Sequence, residues 1–349
     1  MQRRKIDPAG LSWYDPMGSK FELSGVHGFG EKKRYHRFPE SAQKTVREAI
    51  YTLAGCTAGL QLRFRTDSRR IVIAAKVTSK NVSPTMAETG RSGFDLYTGT
   101  PGSEVYWNCA QPIPGEQEYI DEVFTTGEKI MRDFRINFPL YNGVESLSIA
   151  LEENSQLESP VPLRSSRPVV IYGTSITQGG CASRPGSAFT NILSRKLQME
   201  FLNYGFSGNG CNDPEVAELL SSIPDPAMYI IDSEANSVSA ELLLKRLPLF
   251  IDILRKKHPQ TPILLVTKVP YGPRYAQEIP ILKEEIRSVY QQKVSDGDKN
   301  IYFLDGSTFW TNDYTENTID GAHPTDRGFA LMAEKMLPVL QEILAKTIL

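Results

Sequence analysis

The sequence predicts a two-part chain, an antiparallel β-sandwich followed by an α/β domain built on a doubly wound parallel sheet. Two observations carry this. Residues 11–152 read as short alternating strands punctuated by turns, with few long helical periods. After residue 167, continuous apolar runs alternate with helical-period stretches, as in a parallel sheet covered on both faces.

In the first part, Leu60-Gln-Leu-Arg-Phe-Arg alternates apolar and polar residues as a half-buried strand does. Ile71-Val-Ile-Ala-Ala-Lys-Val is a β-branched run, and Phe134-Arg-Ile-Asn-Phe and Leu147-Ser-Ile-Ala-Leu alternate again. Pro101-Gly102 and Asn142-Gly143 mark turns between such segments. Residues 153–167 are polar and carry prolines, and read as a linker, placing the β-sandwich domain over 1–158 and the α/β domain over 159–349.

In the second part, strands are expected at Pro168-Val-Val-Ile-Tyr-Gly, Phe201-Leu-Asn-Tyr-Gly, Met228-Tyr-Ile-Ile-Asp, Ile263-Leu-Leu-Val-Thr and Ile301-Tyr-Phe-Leu-Asp. Helices are expected over 187–198, 213–221, 239–257, 276–294 and 326–345. Right-handed crossovers turn this alternation into an α/β/α sandwich.

Lys plus Arg number 39 and Asp plus Glu 41, so the net charge of −2 offers no footprint for nucleic acid or an anionic membrane. No apolar stretch approaches the roughly 20 residues that span a bilayer. The chain's start lacks the apolar core of a secretory signal, so it reads as cytoplasmic as it stands, and as periplasmic or secreted if a signal has been removed. Cys56, Cys109, Cys181 and Cys211 show no zinc-type spacing; free thiols are expected, with Cys181 and Cys211 a possible pair if their loops converge. Oligomeric state is open.

Ligands of an open parallel sheet lie beyond the carboxyl ends of its strands. There the chain places Gly173-Thr-Ser175, Ser207-Gly-Asn209-Gly, Glu234-Ala-Asn236 and Asp320-Gly-Ala-His323-Pro. A serine hydroxyl needs a base within hydrogen-bond reach, which His323 offers, and Asp320 three residues earlier can hold the other ring nitrogen. The N–H groups of Ser175 and Gly208 and the Asn236 side chain would serve as oxyanion donors. Taken singly, each has a plainer reading: a turn around Ser175, a loop needing positive φ at Gly208, a helix cap at Asn236, a surface histidine at position 323. Their conjunction at successive strand ends points to acyl transfer.

These four blocks resemble the SGNH/GDSL esterases and acylhydrolases, and Gly93-Phe-Asp-Leu-Tyr97 resembles the GxDLY signature of the β-sandwich that precedes the catalytic domain in one branch. The resemblance implies a flavodoxin-like α/β/α hydrolase domain after a jelly-roll-like sandwich. It also implies catalytic Ser175, Asp320 and His323, an oxyanion hole of Ser175, Gly208 and Asn236, and no metal or organic cofactor. Two departures stand out: Thr174 replaces the Asp of the GDS block, and the third block lacks its usual Gly-x-Asn-Asp form. Gln178, Arg184, Asn209, Tyr271 and Arg274 are expected near the mouth as substrate-binding groups, or as merely solvated ones. The aromatics Trp13, Tyr14, Tyr97, Tyr106 and Trp107 of the sandwich read either as a glycan platform or as core. The expected activity is hydrolysis of a short-chain ester, above all an acetyl group on a carbohydrate. The alternatives are acyl transfer to a small alcohol and a glycan-binding module without turnover.

Overall fold

The computed structural model describes residues 6–27, 34–310 and 313–348. The N-terminal part is a sandwich of two antiparallel sheets. One runs in the order Leu11–Tyr14, Val144–Glu152, Arg70–Val77, Glu118–Thr125. The other runs Leu157–Glu158, Gln61–Thr66, Arg132–Asn137, Asp95–Thr98, Val105–Cys109, with Glu22–Ser24 paired on Gln61–Thr66. The alternating residues meet between the sheets: Leu62, Phe64, Ile71, Ile73, Phe134, Ile136, Ile149 and Leu151 form one buried cluster. Each such side chain, fully buried, contributes roughly 1.5–3 kcal/mol.

The C-terminal part is a five-stranded parallel sheet. Its strands are β1 (Ser165–Gly173), β2 (Met199–Gly205), β3 (Met228–Asp232), β4 (Ile263–Val266) and β5 (Ile301–Leu304). Their order is β2-β1-β3-β4-β5, the flavodoxin-like doubly wound arrangement. Helices α1 (Phe189–Leu197), α2 (Pro214–Ser221), α3 (Ala240–Lys257), α4 (Lys283–Ser295) and α5 (Asp326–Ile348) cover it. Strand parity divides the core: Val169 and Ile171 face α1 and α5, whereas Val170 and Tyr172 face α2, α3 and α4. That is why these strands read as unbroken apolar runs.

Three findings differ from the sequence reading. The segment expected to be one helix over 276–294 is two, Pro273–Glu278 and α4, because Pro280 lacks an N–H, and Leu282 N–H goes to Glu234 Oε1 at 2.9 Å instead of into a helix. The segment read as a linker is structured: Leu157 and Glu158 pair with Thr66 and Arg65, and β1 begins at Ser165. A helix at Glu48–Ala54 was not anticipated, and it packs away from the sandwich. Phe38, Ala42, Val46, Ile50 and Ala54 join the core under the parallel sheet, beside Tyr204 and Phe206.

Candidate active site

Strand β1 ends at Gly173, where a Cβ would come within 2.1 Å of Thr177 Oγ1, so only glycine lets the chain turn here. Thr174 is extended, and its hydroxyl accepts from the Ile176 N–H at 3.3 Å. It thereby caps a single helical turn, Ser175–Gln178, that stops at left-handed Gly179. Ser175 heads this turn and is 9% exposed. A threonine thus does the capping work at the position where a carboxylate was expected from the resemblance.

The Ser175 hydroxyl lies 2.9 Å from His323 Nε2, and His323 Nδ1 lies 2.8 Å from Asp320 Oδ2. Asp320 Oδ1 accepts the backbone N–H groups of Ala322 (2.9 Å) and His323 (2.8 Å). Partial burial pushes the Asp320 carboxyl up, but the hydrogen bonds from His323 N–H, its ring and Ala322 N–H outweigh it and hold the group below the ordinary carboxylate range. The loop itself is pinned by Gly272 N–H to Gly321 O (2.7 Å) and Ile319 N–H to His323 O (2.9 Å). An imidazole so held, with a hydroxyl on one nitrogen and a carboxylate on the other, is arranged to take the hydroxyl proton.

Two further segments close in. Asn236 ends a 3₁₀ turn, Glu234–Asn236, after β3. Its Oδ1 accepts from Gly210 N–H at 3.1 Å, which leaves Nδ2 as the donor end. It does not cap α3; Ser239 does, accepting from Leu242 N–H at 3.2 Å. Glu234 is fully buried and takes the N–H groups of Lys268 (2.8 Å) and Leu282 (2.9 Å), so the unusual third block stitches three loops together. Gly208 sits at φ +67°, and nothing lies within 4 Å of where its Cβ would be. Among the described residues, no protein group accepts from the N–H of Ser175 or Gly208 or from Asn236 Nδ2.

The residues expected at the mouth divide. Gln178 is fully buried, donating to Leu140 O (3.1 Å) and accepting from Ser207 N–H (3.0 Å), so it holds the wall instead of facing a ligand. Arg184 is consumed between the domains: it pairs with Asp95 Oδ2 at 2.9 Å, reaches the Tyr97 hydroxyl and stacks on Tyr106 at 4.0 Å. The Gly93–Tyr97 signature is thereby a docking device, with Asp95 also accepting from Asn137 Nδ2 (2.7 Å) and Gly186 N–H (2.7 Å). Asn209 is tied at both ends, Nδ2 donating to Ser207 O and Oδ1 accepting from Arg47 Nη1. Tyr271 packs edge-on to Tyr275 at 6.2 Å, and burial, with nearby Asp232, Glu234 and Asp320, pushes its hydroxyl pKa up. Arg274 is 79% exposed and faces Glu278 at 3.7 Å. All four cysteines are free thiols; Cys211 Sγ donates to Asn236 O at 3.5 Å instead of joining Cys181. Trp13, Tyr106 and Trp107 are exposed, while Tyr97 is buried.

Sequence reasoning missed three groups here. The Tyr141 hydroxyl donates to Ser175 O at 3.0 Å. Thr177 Oγ1 donates at 2.8 Å to Asp232 Oδ2 at the end of β3, where burial, opposed by that bond and reinforced by Glu234, pushes the Asp232 carboxyl up to about 7. Arg47 reaches in from the N-terminal region. None carries a local motif; each is recognisable only once distant segments meet.

Residues 166–341 match the GDSL-like lipase/acylhydrolase family, and residues 11–157 match the N-terminal GxDLY domain of SGNH-hydrolase-type esterases. No curated protein sequence matches the chain. Among solved structures, a GDSL-like lipase from Bacteroides ovatus is 28% identical, with 96% of this chain and 98% of that one aligned and a TM-score of 0.87. A salicylyl-acyltransferase from a tetracycline biosynthetic pathway is 19% identical (93% and 95% aligned, TM-score 0.75). An acetyl xylan esterase from the rumen bacterium Butyrivibrio proteoclasticus is 14% identical (96% and 99% aligned, TM-score 0.63). At those identities the last two establish the shared fold alone.

Proposed function

This chain belongs to the GDSL-like lipase/acylhydrolase family, and from that premise we propose that it is a serine esterase removing short acyl groups, acetyl above all, from carbohydrate hydroxyls. The observation that carries the reading is the hydrogen-bonded series Ser175 Oγ–His323 Nε2 (2.9 Å) and His323 Nδ1–Asp320 Oδ2 (2.8 Å) beyond the carboxyl ends of the parallel strands. Ser175 Oγ attacks the ester carbonyl carbon while His323 Nε2 takes its proton. The carbonyl electron pair moves onto oxygen, where the Ser175 and Gly208 N–H groups and Asn236 Nδ2 donate to it. Collapse expels the alcohol, which leaves with the proton from His323. Water then repeats the sequence on the acyl-enzyme, releasing the acid and restoring Ser175.

Support for a small acyl group comes from the acetyl xylan esterase among the proteins that share the fold. The test is hydrolysis of p-nitrophenyl acetate, butyrate and octanoate by the wild type and Ser175→Ala in parallel. Turnover that falls with chain length and vanishes in the variant is expected. An acetylated xylan or glucose then tests the alcohol. Product formation exceeding hydrolysis when an acceptor alcohol is added would move the assignment to acyl transfer.

A further inference from the structure

The Gly208 N–H is useful to an oxyanion only if the peptide joining Ser207 to Gly208 faces one way. In a trans peptide the C=O and N–H point in opposite directions, so whatever grips the Ser207 carbonyl also sets the Gly208 N–H. Gly208 supplies no restraint of its own, since glycine crosses between φ regions readily and this one has open space where a Cβ would stand.

The grip comes from Asn209. Its Nδ2 donates to Ser207 O at 2.9 Å, and its Oδ1 accepts from Arg47 Nη1 at 2.8 Å. Both ends of the amide are therefore occupied, and its orientation is determined. The same guanidinium forks onto Asp213, Nε to Oδ1 at 3.2 Å and Nη2 to Oδ2 at 2.9 Å. Asp213 is buried and is braced from the other side by Arg246, which reaches Asp213 Oδ1 (3.2 Å) and Cys211 O (3.1 Å). Arg47 stands just ahead of the helix Glu48–Ala54, whose Ile50 and Ala54 are fixed in the core of the parallel-sheet domain. The path from core to oxyanion donor runs through that helix, Arg47, Asn209 and the Ser207 carbonyl.

We propose that Arg47 and Asn209 are positioning residues: the guanidinium fixes the Asn209 amide, and the amide fixes the Ser207–Gly208 peptide with its N–H presented to the oxyanion. This rests on the serine-esterase reading above. It assigns the N-terminal region a part in the chemical step.

An oxyanion contact is made in the transition state, so its loss lowers kcat and spares KM. Removing a donor outright costs ~10²–10³ in rate, so releasing one to swing should cost Asn209→Ala about ten- to a hundredfold in kcat on p-nitrophenyl acetate. Arg47→Ala, acting one step back, should cost about tenfold, with KM for both variants within about twofold of wild type. Because the two residues act in series, the double variant should be no slower than Asn209→Ala alone. Arg47→Lys keeps the cation but not the fork, and carries the same test if Arg47→Ala does not fold. A role confined to stability would lower Tm and leave kcat per folded enzyme unchanged, which would overturn the proposal. So would losses that multiply in the double variant. If Ser175→Ala turns over as fast as wild type, the esterase reading itself has failed; if Ser175 is required and both Arg47 and Asn209 variants keep wild-type kcat, only the positioning inference has.

Discussion

The two halves of the site are held in different ways. The proposed base His323 and its orienting carboxylate Asp320 lie three residues apart on one loop, and Asp320 even takes the backbone N–H of His323. The loop proposed to serve the oxyanion, Ser207–Asn212, is held from segments scattered along the chain: Gln178 on Ser207 N–H, Arg47 on Asn209, Asn236 on Gly210 N–H, Arg246 on Cys211 O and the Tyr172 hydroxyl on Asn212 N–H. A proton relay needs a few atoms at fixed separation, which a short loop provides. Directing a backbone N–H at a developing charge needs a whole peptide plane held, and a glycine-containing loop cannot do that alone.

The comparison can be broken by substitution, and the effects should descend in order. His323→Ala removes the base and should cost on the order of 10⁵–10⁶ in kcat, measured on p-nitrophenyl acetate. Asp320→Asn keeps the shape but presents an amide to the imidazole and to two N–H groups, with an expected loss of ~10³–10⁴. On the oxyanion side, Asn236→Ala should cost ~10²–10³ in kcat without unfolding; a loss under about threefold would remove Asn236 from the hole.

Stability offers a separate probe of the floor that joins the halves. The Asp232 carboxyl, raised from 3.8 to about 7, is favoured in its protonated form by folding. Its contribution is therefore fully present below about pH 4 and is lost as pH rises through 7. Wild-type Tm should fall between pH 5 and pH 8, and Asp232→Asn, which still accepts from Thr177, should flatten that slope. The depressed Asp320 works with the opposite sign, its contribution present above the ordinary carboxylate range and lost as pH falls through its lower folded value. The smallest effect is expected for Tyr141→Phe, which loses one hydrogen bond to Ser175 O and about 1 kcal/mol of stability by chemical denaturation.

The same local-versus-distant division explains what could be read from sequence. The β1 to β5 runs were legible because both faces of a parallel strand are buried, and the Asp320–His323 loop because its partners are three residues apart. Gln178, Arg184 and Asn209 read as groups at the mouth because they are polar and follow strands. Their partners, Leu140 O, Asp95 and Arg47, lie far away in the chain, and no periodicity signals such pairings. The helix Glu48–Ala54 escaped notice because seven residues show little period and its apolar face serves the other domain. Pro280 was visible inside the expected helix 276–294, and its missing donor divides that helix.

The most direct test of the central claim is to trap the intermediate. Wild-type enzyme mixed with p-nitrophenyl acetate and quenched in acid within the first turnovers should carry a single acetyl group, located by peptide mapping on Ser175. Ser175→Ala should carry none. Acetyl found on another residue, or steady turnover without any acetylated Ser175, would contradict the account.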